Sequence, residues 1–598
     1  MDIILGTEES VRALKTDGFR KLFADSDFIV LGAGPAAEHG CELRYDPEKQ
    51  ILYIKFGTIF YVKPQLQLDK LIELYEEQQL EQCFQVDGDF LFFVVNIRKQ
   101  SICAVTHREG IMPVYYRRVG EHFVVTTACH VLFQDFDEQS VNWESVNDYL
   151  RFGCLLGEHT LSKNVRLIQG GSIATFSDDV KIRRIHRFFY EPEQKNVHDL
   201  MEEIWSSYLA AVKKRTEGAE KDICIFLSGG LDSRFLLGAL NSVSGAHRVS
   251  AYSFGQNNSE EVSVAAQCAA LQGNPFFHIR FNAEDFVSHA EEYERVTCGA
   301  DVFQQGYIIG AAKQVNEKQF MTGFVLDAIL GGTFLNEESI MSDSKPSDFI
   351  KKNTKALKMN VFTKDELVDL SKDRNSAKLF EADTNHLTEE TEKYDGIPVE
   401  DAIQAFGVEN RDKNLVLWRE TVPAKSLISS YPSTDLAFLQ AVRKIPAKLR
   451  QNHSLYRELF NTFLPTYARI IYNNTTMPAI APYELWERGA AIEGQREKAF
   501  AEFQKQYNLM HSEKIYYPHY YSDFEGYSRY NSSWLAFFDK YLGNPDAFIY
   551  QWLFEKKKVD ALLNEHRIGQ RSRRKQLVYL ASLECFFQTA FFKRHTAL

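Results

Sequence analysis

Apolar and polar residues alternate along CELRYDPEKQILYIKFGTIFYV (41–62), and the turn-prone Asp46-Pro47 divides the run into two strands. DGDFLFFVVNIRKQSICAVTH (87–107) reads as a second strand pair with a polar turn, and GIMPVYYRRVGEHFVVTT (110–127) as a third, turning at Gly120-Glu121. LQLDKLIELYEEQQ (66–79) carries helical spacing between them. Residues 40–190 are therefore predicted to form antiparallel, stacked sheets. Near residue 195 the period changes. HDLMEEIWSSYLAAVKKRTE (198–217) reads as a helix, followed by the short apolar strands KDICIFL, RVSAYSF and PFFHIRF. The helical stretches SRFLLGALNSV and EEVSVAAQCAALQG separate those strands, which predicts a parallel α/β sheet. From about residue 335 the pattern is mostly helical. The polar stretch 343–400 is expected to be an exposed insertion, and 485–598 a helical C-terminal extension. Two domains follow, 1–190 and 191–598.

The 598 residues are 44% hydrophobic and 25% charged, which suits folded domains and excludes disorder of the whole chain. Lysine and arginine total 69 against 81 acidic residues, a net charge of −12. That balance speaks against a nucleic-acid binder. Nine cysteines stand singly, with no CxxC pair, as in a reduced protein without a disulfide framework or a zinc site. The start shows no apolar leader and no run is long enough to span a membrane, so the expected setting is the cytoplasm.

The most informative stretch is ICIFLSGGLDSRFLLGAL (223–240), read as strand, tight turn and helix. Gly229 and Gly230 allow close approach to a ligand, Ser228 and Ser233 offer hydroxyls, and the amides opening the helix favour an anion. Asp232 would repel a bare phosphate, and fits if Mg²⁺ sits between the two. The loop is not a GxxxxGK[ST] phosphate loop.

SGGLDS (228–233) resembles the pyrophosphatase loop of the asparagine synthetase-like ATP enzymes. Three further stretches carry the same resemblance. TGFVLDAILGG (322–332) is similar to that family's GxGxDExxGG segment, with Gly323, Asp327, Gly331 and Gly332 in register. FQVDGDFLFFVVNIRKQSICAVTHREGIMPVYY (84–116) resembles its amidotransferase domain, and SYPSTDLAFLQAVRKIPAKLR (430–450) its PFxDxxLxxxxxxxPxxLR helix. The resemblance implies a stacked-sheet domain of the N-terminal-nucleophile type, then a parallel-sheet ATP pyrophosphatase domain. It implies an AMP-forming amide ligase: a carboxylate attacks the α-phosphate of ATP, pyrophosphate leaves, and ammonia or an amine displaces AMP. It places Mg²⁺ on Asp232 and Asp327, and the pyrophosphate on Ser228, Gly229, Gly230, Leu231 and Ser233. Leu227, Ser253 and Phe254 would border the adenine, and Gly323 would allow close approach beside the nucleotide.

The chain also departs from the family. Glutamine-using members carry a cysteine after the initiator methionine, with its free α-amine as base; here Asp2 stands there. Phe56-Gly57 corresponds to their Asn-Gly. The expectation is an amidotransferase fold without glutaminase activity. Phe324 occupies a position held by glutamate in asparagine synthetases and by tyrosine in β-lactam-forming relatives; Ala328 replaces a glutamate. Where the family places RxKxGF, the chain reads IIYNNTTMP (470–478), leaving Arg469 as a substitute for the lysine. Lasso-peptide macrolactam cyclases similarly keep an inert amidotransferase-like domain, so the substrates expected are a small-molecule or peptide carboxylate and an amine, with room for a biosynthetic partner protein. The competing readings are a catalytically silent nucleotide-binding scaffold and, less well supported, a pyrophosphatase acting on tRNA. Two further stretches stay open. The basic start of 565–594 is either a solvated helix start or a rim for phosphate or acidic peptide. The aromatic 512–541 is either a packing surface or a peptide or sugar groove. His107 and His130 are read as structural.

Overall fold

The computed structural model describes residues 2–25, 27–34, 40–134, 136–217, 222–243, 248–511, 514–518 and 520–591. The first unit contains β1 (Asp2–Thr7), β2 (Arg20–Ala24), β3 (Phe28–Ala33), β4 (Cys41–Asp46), β5 (Ile51–Ile59) and β6 (Gly88–Asn96). These are followed by β7 (Ser101–Val105), β8 (Val114–Val119), β9 (His122–Thr126), β10 (Arg166–Ile168), β11 (Ser172–Phe176) and β12 (Val180–Arg184). They form two six-stranded sheets, ordered β10-β8-β9-β1-β3-β2 and β12-β11-β7-β6-β5-β4. The pattern of β6 shows why the sheets stack. Leu91, Phe93 and Val95 face Ile3, Leu5 and Val30 of the other sheet. Phe90, Phe92 and Val94 point the opposite way, onto Leu68, Leu71 and Leu74 of the helix Gln67–Glu76. GDFLFFVV is apolar throughout because both of its faces are covered. The strands also begin earlier than the alternation from residue 40 suggests: β1 is internal to its sheet, between β9 and β3.

The second unit holds a five-stranded parallel sheet. Its strands are β13 (Ile223–Phe226), β14 (Val249–Gly255), β15 (Phe276–Arg280), β16 (Gln319–Met321) and β17 (Ile428–Ser430). The order is β15-β14-β13-β16-β17. Helices Asp232–Val243 and Glu260–Ala270 make the first two crossovers. The chain therefore leaves β13 toward one edge of the sheet and later returns to its other side with β16. This is a topological switch point, and ligands of open α/β sheets bind beyond the carboxyl ends of the strands at such a point.

The stretch 343–400 is exposed at many positions but also packs inward, which its polarity does not announce. Its short helices bury Phe349, Ile350, Leu387 and Tyr394 against Phe152 and Leu156 of the first unit. Its polar residues cap those helices: Thr363, Asp373 and Thr384 each accept a main-chain N–H. The helix Arg574–Phe591 is a core element, with Leu577, Leu580 and Phe587 fully buried; residues 592–594 lie outside the described residues. The arginines at its start face carboxylates, Arg573 on Glu366 and Glu565 and Arg574 on Glu525. The aromatic stretch also packs inward, Phe524 and Tyr527 against Phe286 and Trp534; residues 512, 513 and 519 lie outside the described residues. His107 is buried, its Nδ1 accepting the N–H of Glu109. Among the described residues no helix is long and apolar enough to cross a membrane.

A buried ion network joins the units. Arg215 donates to both oxygens of Asp89 on β6, at 3.1 and 2.9 Å, and to Asp435 at 3.1 Å. Lys214 beside it pairs with Asp87 and Asp435.

Candidate active site

Because β13 and β16 pair in parallel, Cys224 opposite Phe320, the two loops that leave their carboxyl ends are neighbours. The first carries Leu227, Ser228, Gly229, Gly230 and Leu231 and runs into the helix opened by Asp232. The second carries Gly323 and Phe324 and runs into the helix Leu326–Gly331, which holds Asp327. The motifs are thereby brought together, although Asp232 and Asp327 are ninety-five positions apart in sequence.

Asp232 Oδ2 accepts the main-chain N–H of Asp327 at 3.1 Å, and Oδ1 accepts the Tyr456 hydroxyl at 3.0 Å. Asp327 in turn accepts the Thr333 hydroxyl at 2.9 Å. Burial, and then the neighbouring charge of Asp327, push the Asp232 carboxyl well above the usual range. A Cβ at Gly323 would lie 2.8 Å from the carbonyl oxygen of Asp232, so glycine there lets the two loops touch.

The loop is tied by its own serines. The Ser228 N–H donates to Ser233 Oγ at 3.0 Å, the two hydroxyls lie 3.0 Å apart, and the Gly230 N–H donates to Ser228 Oγ at 3.1 Å. Glu261, which the sequence reading did not single out, accepts main-chain N–H groups of Gly229 and Tyr521. Burial raises its carboxyl to about 7 against those two bonds. Nothing in QNNSEEVSV marks the residue, because its partner lies in a loop met only in the fold.

Arg234 is fully buried and supports the site from below. Its guanidinium donates to the carbonyls of Gly229, Tyr467, Ile470 and Ile471, at 3.0, 3.4, 2.9 and 2.8 Å. It thereby fastens the loop to a hairpin of β18 (Ile471–Tyr472) and β19 (Met477–Pro478). A Cβ at Gly229 would lie 3.0 Å from Cβ of Asn473 in this hairpin. Arg469 itself is exposed at the end of the helix Pro465–Ala468, so the guanidinium buried against the loop is that of Arg234.

Ser253 is buried on β14, and the Phe254 ring sits among Phe226, Tyr307 and Tyr521, with centroids 5.5, 5.1 and 5.9 Å away. Phe324 is buried against Ile111, Leu417 and Tyr431. Val325 next to it adopts φ 60°, in the left-handed region that disfavours branched side chains and marks a strained turn.

In the first unit, Asp2 Oδ2 meets Lys425 Nζ at 3.0 Å. Burial opposes ionisation of Asp2, and Lys425, the chain's amino terminus and His130 outweigh it and lower its pKa. Phe56 points into the core between the sheets. Gly57 on β5 has φ 103°, and a Cβ there would come within 2.1 Å of the Asp89 carbonyl oxygen, so glycine at this point of the strand is required by space and backbone alike.

An asparagine synthase family model matches residues 206–588, and a glutamine amidotransferase domain model matches 67–189. Asparagine synthetase [glutamine-hydrolyzing] 1 of Bacillus subtilis is 22% identical over 205 residues, covering 34% of this chain and 32% of that protein. Putative asparagine synthetase [glutamine-hydrolyzing] 2 of Methanocaldococcus jannaschii is 23% identical over 232 residues, covering 37% and 44%. The chain thus spans less than half the length of each of these relatives. Among solved structures, glutamine phosphoribosylpyrophosphate amidotransferase from B. subtilis matches 53% of this chain and 88% of its own, at 9% identity and a TM-score of 0.22. The asparagine synthase model covers more than half of the sequence, including both loops of the carboxylate pair, and the chain belongs to the asparagine synthase family.

Proposed function

We propose that the protein is an ATP-dependent, AMP-forming amide ligase that joins a carboxylate to ammonia or an amine. The observation that carries this reading is the Asp232–Asp327 contact beyond β13 and β16. Two carboxylates held together, one of them pushed up by burial and then by the other, form a hard-oxygen donor set that a divalent cation relieves. Among the described residues no group of three or more histidine, cysteine, aspartate or glutamate side chains could hold a metal. Two carboxylates with phosphate oxygens are the usual environment of Mg²⁺, so the residues fit it. When bound there with ATP, Mg²⁺ would neutralise charge on the departing pyrophosphate. Tyr456 and Thr333 orient the two carboxylates, and Arg234 holds the loop against the hairpin. In this reading Ser228, Gly229, Gly230, Leu231 and Ser233 cradle the phosphates, and Leu227, Ser253, Phe254 and Gly323 border the nucleotide.

The first unit serves this reading as an amidotransferase fold without a glutaminase. A carboxylate at position 2, paired with Lys425, is no nucleophile for an amide carbonyl. The amine is then taken directly, as in tailoring enzymes of peptide or natural-product biosynthesis such as lasso-type cyclases.

The hairpin favours a second reading, a nucleotide-binding scaffold without catalysis. It has no lysine, and Arg469 beside it is exposed. Incubation with ATP, Mg²⁺ and panels of acids and amines separates the two. AMP and pyrophosphate that disappear with Asp232→Ala support the ligase. ATP binding without AMP across the panels supports the scaffold.

A further inference from the structure

A cavity between the two units is built partly from the segment that leads into Asp327. Phe324 and Val325 line it, with Ile329 one helical turn further on; Ile111, Phe188 and Ala405 are among its other apolar walls, and Gln404, Ser433 and Thr434 add neutral polar groups. The turn at Val325 connects this wall to the carboxylate pair, because Val325 precedes the helix whose second residue is Asp327. Cavity and pair are thus two sides of one short segment.

Glu109, Glu409 and Lys413 bring charge to the cavity. Lys413 Nζ lies 2.8 Å from Glu409 and 3.6 Å from Glu109. Arg184 takes the other oxygen of Glu409 at 2.6 Å, and His186 meets Glu109 at 2.8 Å. Burial opposes ionisation of Glu109, but His186 and Lys413 hold its carboxyl down at about 2. Arg108 lies 4.0 Å from Glu109 as a further cation, so each charged group at the cavity already faces an opposite charge and none stands alone for an ionic ligand. An aspartate-like molecule placed here would lose its hydration against mostly apolar walls and gain only the neutral side chains of Gln404, Ser433 and Thr434. A hydrocarbon group would lose nothing and gain contact.

We propose that this cavity receives the uncharged aromatic or branched aliphatic body of one of the two substrates, the word substrate resting on the ligase reading above. The shared chemistry is apolar bulk, carried by either the acid or the amine.

The test is calorimetric titration of the full-length protein with 3-phenylpropionate, 2-phenylethylamine and L-aspartate. At least one aryl probe is expected to bind about tenfold or more tightly than aspartate. Ala405→Trp and Val408→Phe fill the cavity from different positions, and each is expected to weaken that probe about tenfold or more. Circular dichroism identifies which variants are folded, and the half-buried Val408 position tolerates added volume better than Ala405. Preference for the acid or for the amine probe tells which substrate carries the bulk. Aspartate binding as tightly as both aryl probes overturns the proposal. So does aryl binding left unchanged in a folded variant. AMP formation measured in parallel tests the ligase separately. Aryl binding lost in the variants, without AMP from any acid, keeps the cavity assignment and rejects the ligase. AMP from aspartate and ammonia, without aryl binding, does the reverse.

Discussion

The main-chain N–H of Asp327 donates to Oδ2 of Asp232 across 3.1 Å and sets two carboxylates side by side at the carboxyl ends of paired parallel strands. The arrangement has a pH signature. Burial, and then Asp327, raise the Asp232 carboxyl above its ordinary 3.8. For an acid raised on folding, the protonated form is the favoured one. Its stabilising contribution is full below the unfolded value and is lost as pH rises through the folded one. Asp232→Asn removes this dependence while keeping an acceptor for the Asp327 N–H. It is expected to unfold in urea with about 1–2 kcal/mol more stability at pH 8 and no gain near pH 3. In the same variant AMP formation is expected to fall by about a hundredfold or more.

Arg234 satisfies four main-chain carbonyls with one planar, fully buried group. Lysine cannot reproduce that fork, and leucine takes a hydrogen bond from all four carbonyls, those of Gly229 and Tyr467 keeping only a main-chain N–H. Arg234→Leu is expected to cost about 3–5 kcal/mol in urea denaturation, and Arg234→Lys somewhat less. Both variants are also expected to weaken ATP binding, since Gly229 and the hairpin lose their common anchor. Unchanged stability in Arg234→Leu would show that the hairpin is held by other contacts.

Asp89, Arg215 and Asp435 tie the units together at their interface. Burial works against the Asp89 charge, and Arg215 and His107 reverse it, holding the carboxyl below its ordinary range. An acid lowered on folding stabilises above its unfolded value and loses that contribution as pH falls through the folded one. Removing the guanidinium takes the shared partner from two buried carboxylates, leaving Asp435 to Lys214 and Asp89 to His107. Arg215→Met is expected to cost about 3–5 kcal/mol at pH 7 and to move acid unfolding, followed by tryptophan fluorescence, to higher pH. An acid transition in the same place as wild type would count against the network.

The pairing of Asp2 with Lys425 concerns glutamine. Glutamate release from glutamine is expected to stay at the buffer background in the wild-type protein. Asp2→Cys is expected to stay there too, because Phe56 points into the core where a polar contact to the amide would be needed. Release by either protein, followed with glutamate dehydrogenase, would restore a glutaminase role to the first unit.

SGGLDS between an apolar strand and a helix was legible from residue types alone, because backbone sterics and burial act over a few neighbouring positions. So was the alternation of β4 through β9, whereas Asp2 and Phe324 stood out only against the pattern of the resembled family. The meeting of Asp232 with Asp327 depended on β13 pairing with β16, a contact between distant segments that no local pattern encodes. The same is true of Glu261 under Gly229 and of the carbonyls gathered by Arg234. In 343–400 polarity hid the inward packing, because polar side chains cap helices while a sparse set of apolar ones joins the core. Local sterics and periodicity therefore determined the elements and the loop that could face a nucleotide. Long-range packing alone decided which carboxylate stands beside Asp232, and that the residues before Asp327 wall a mostly apolar cavity whose charges are paired with one another.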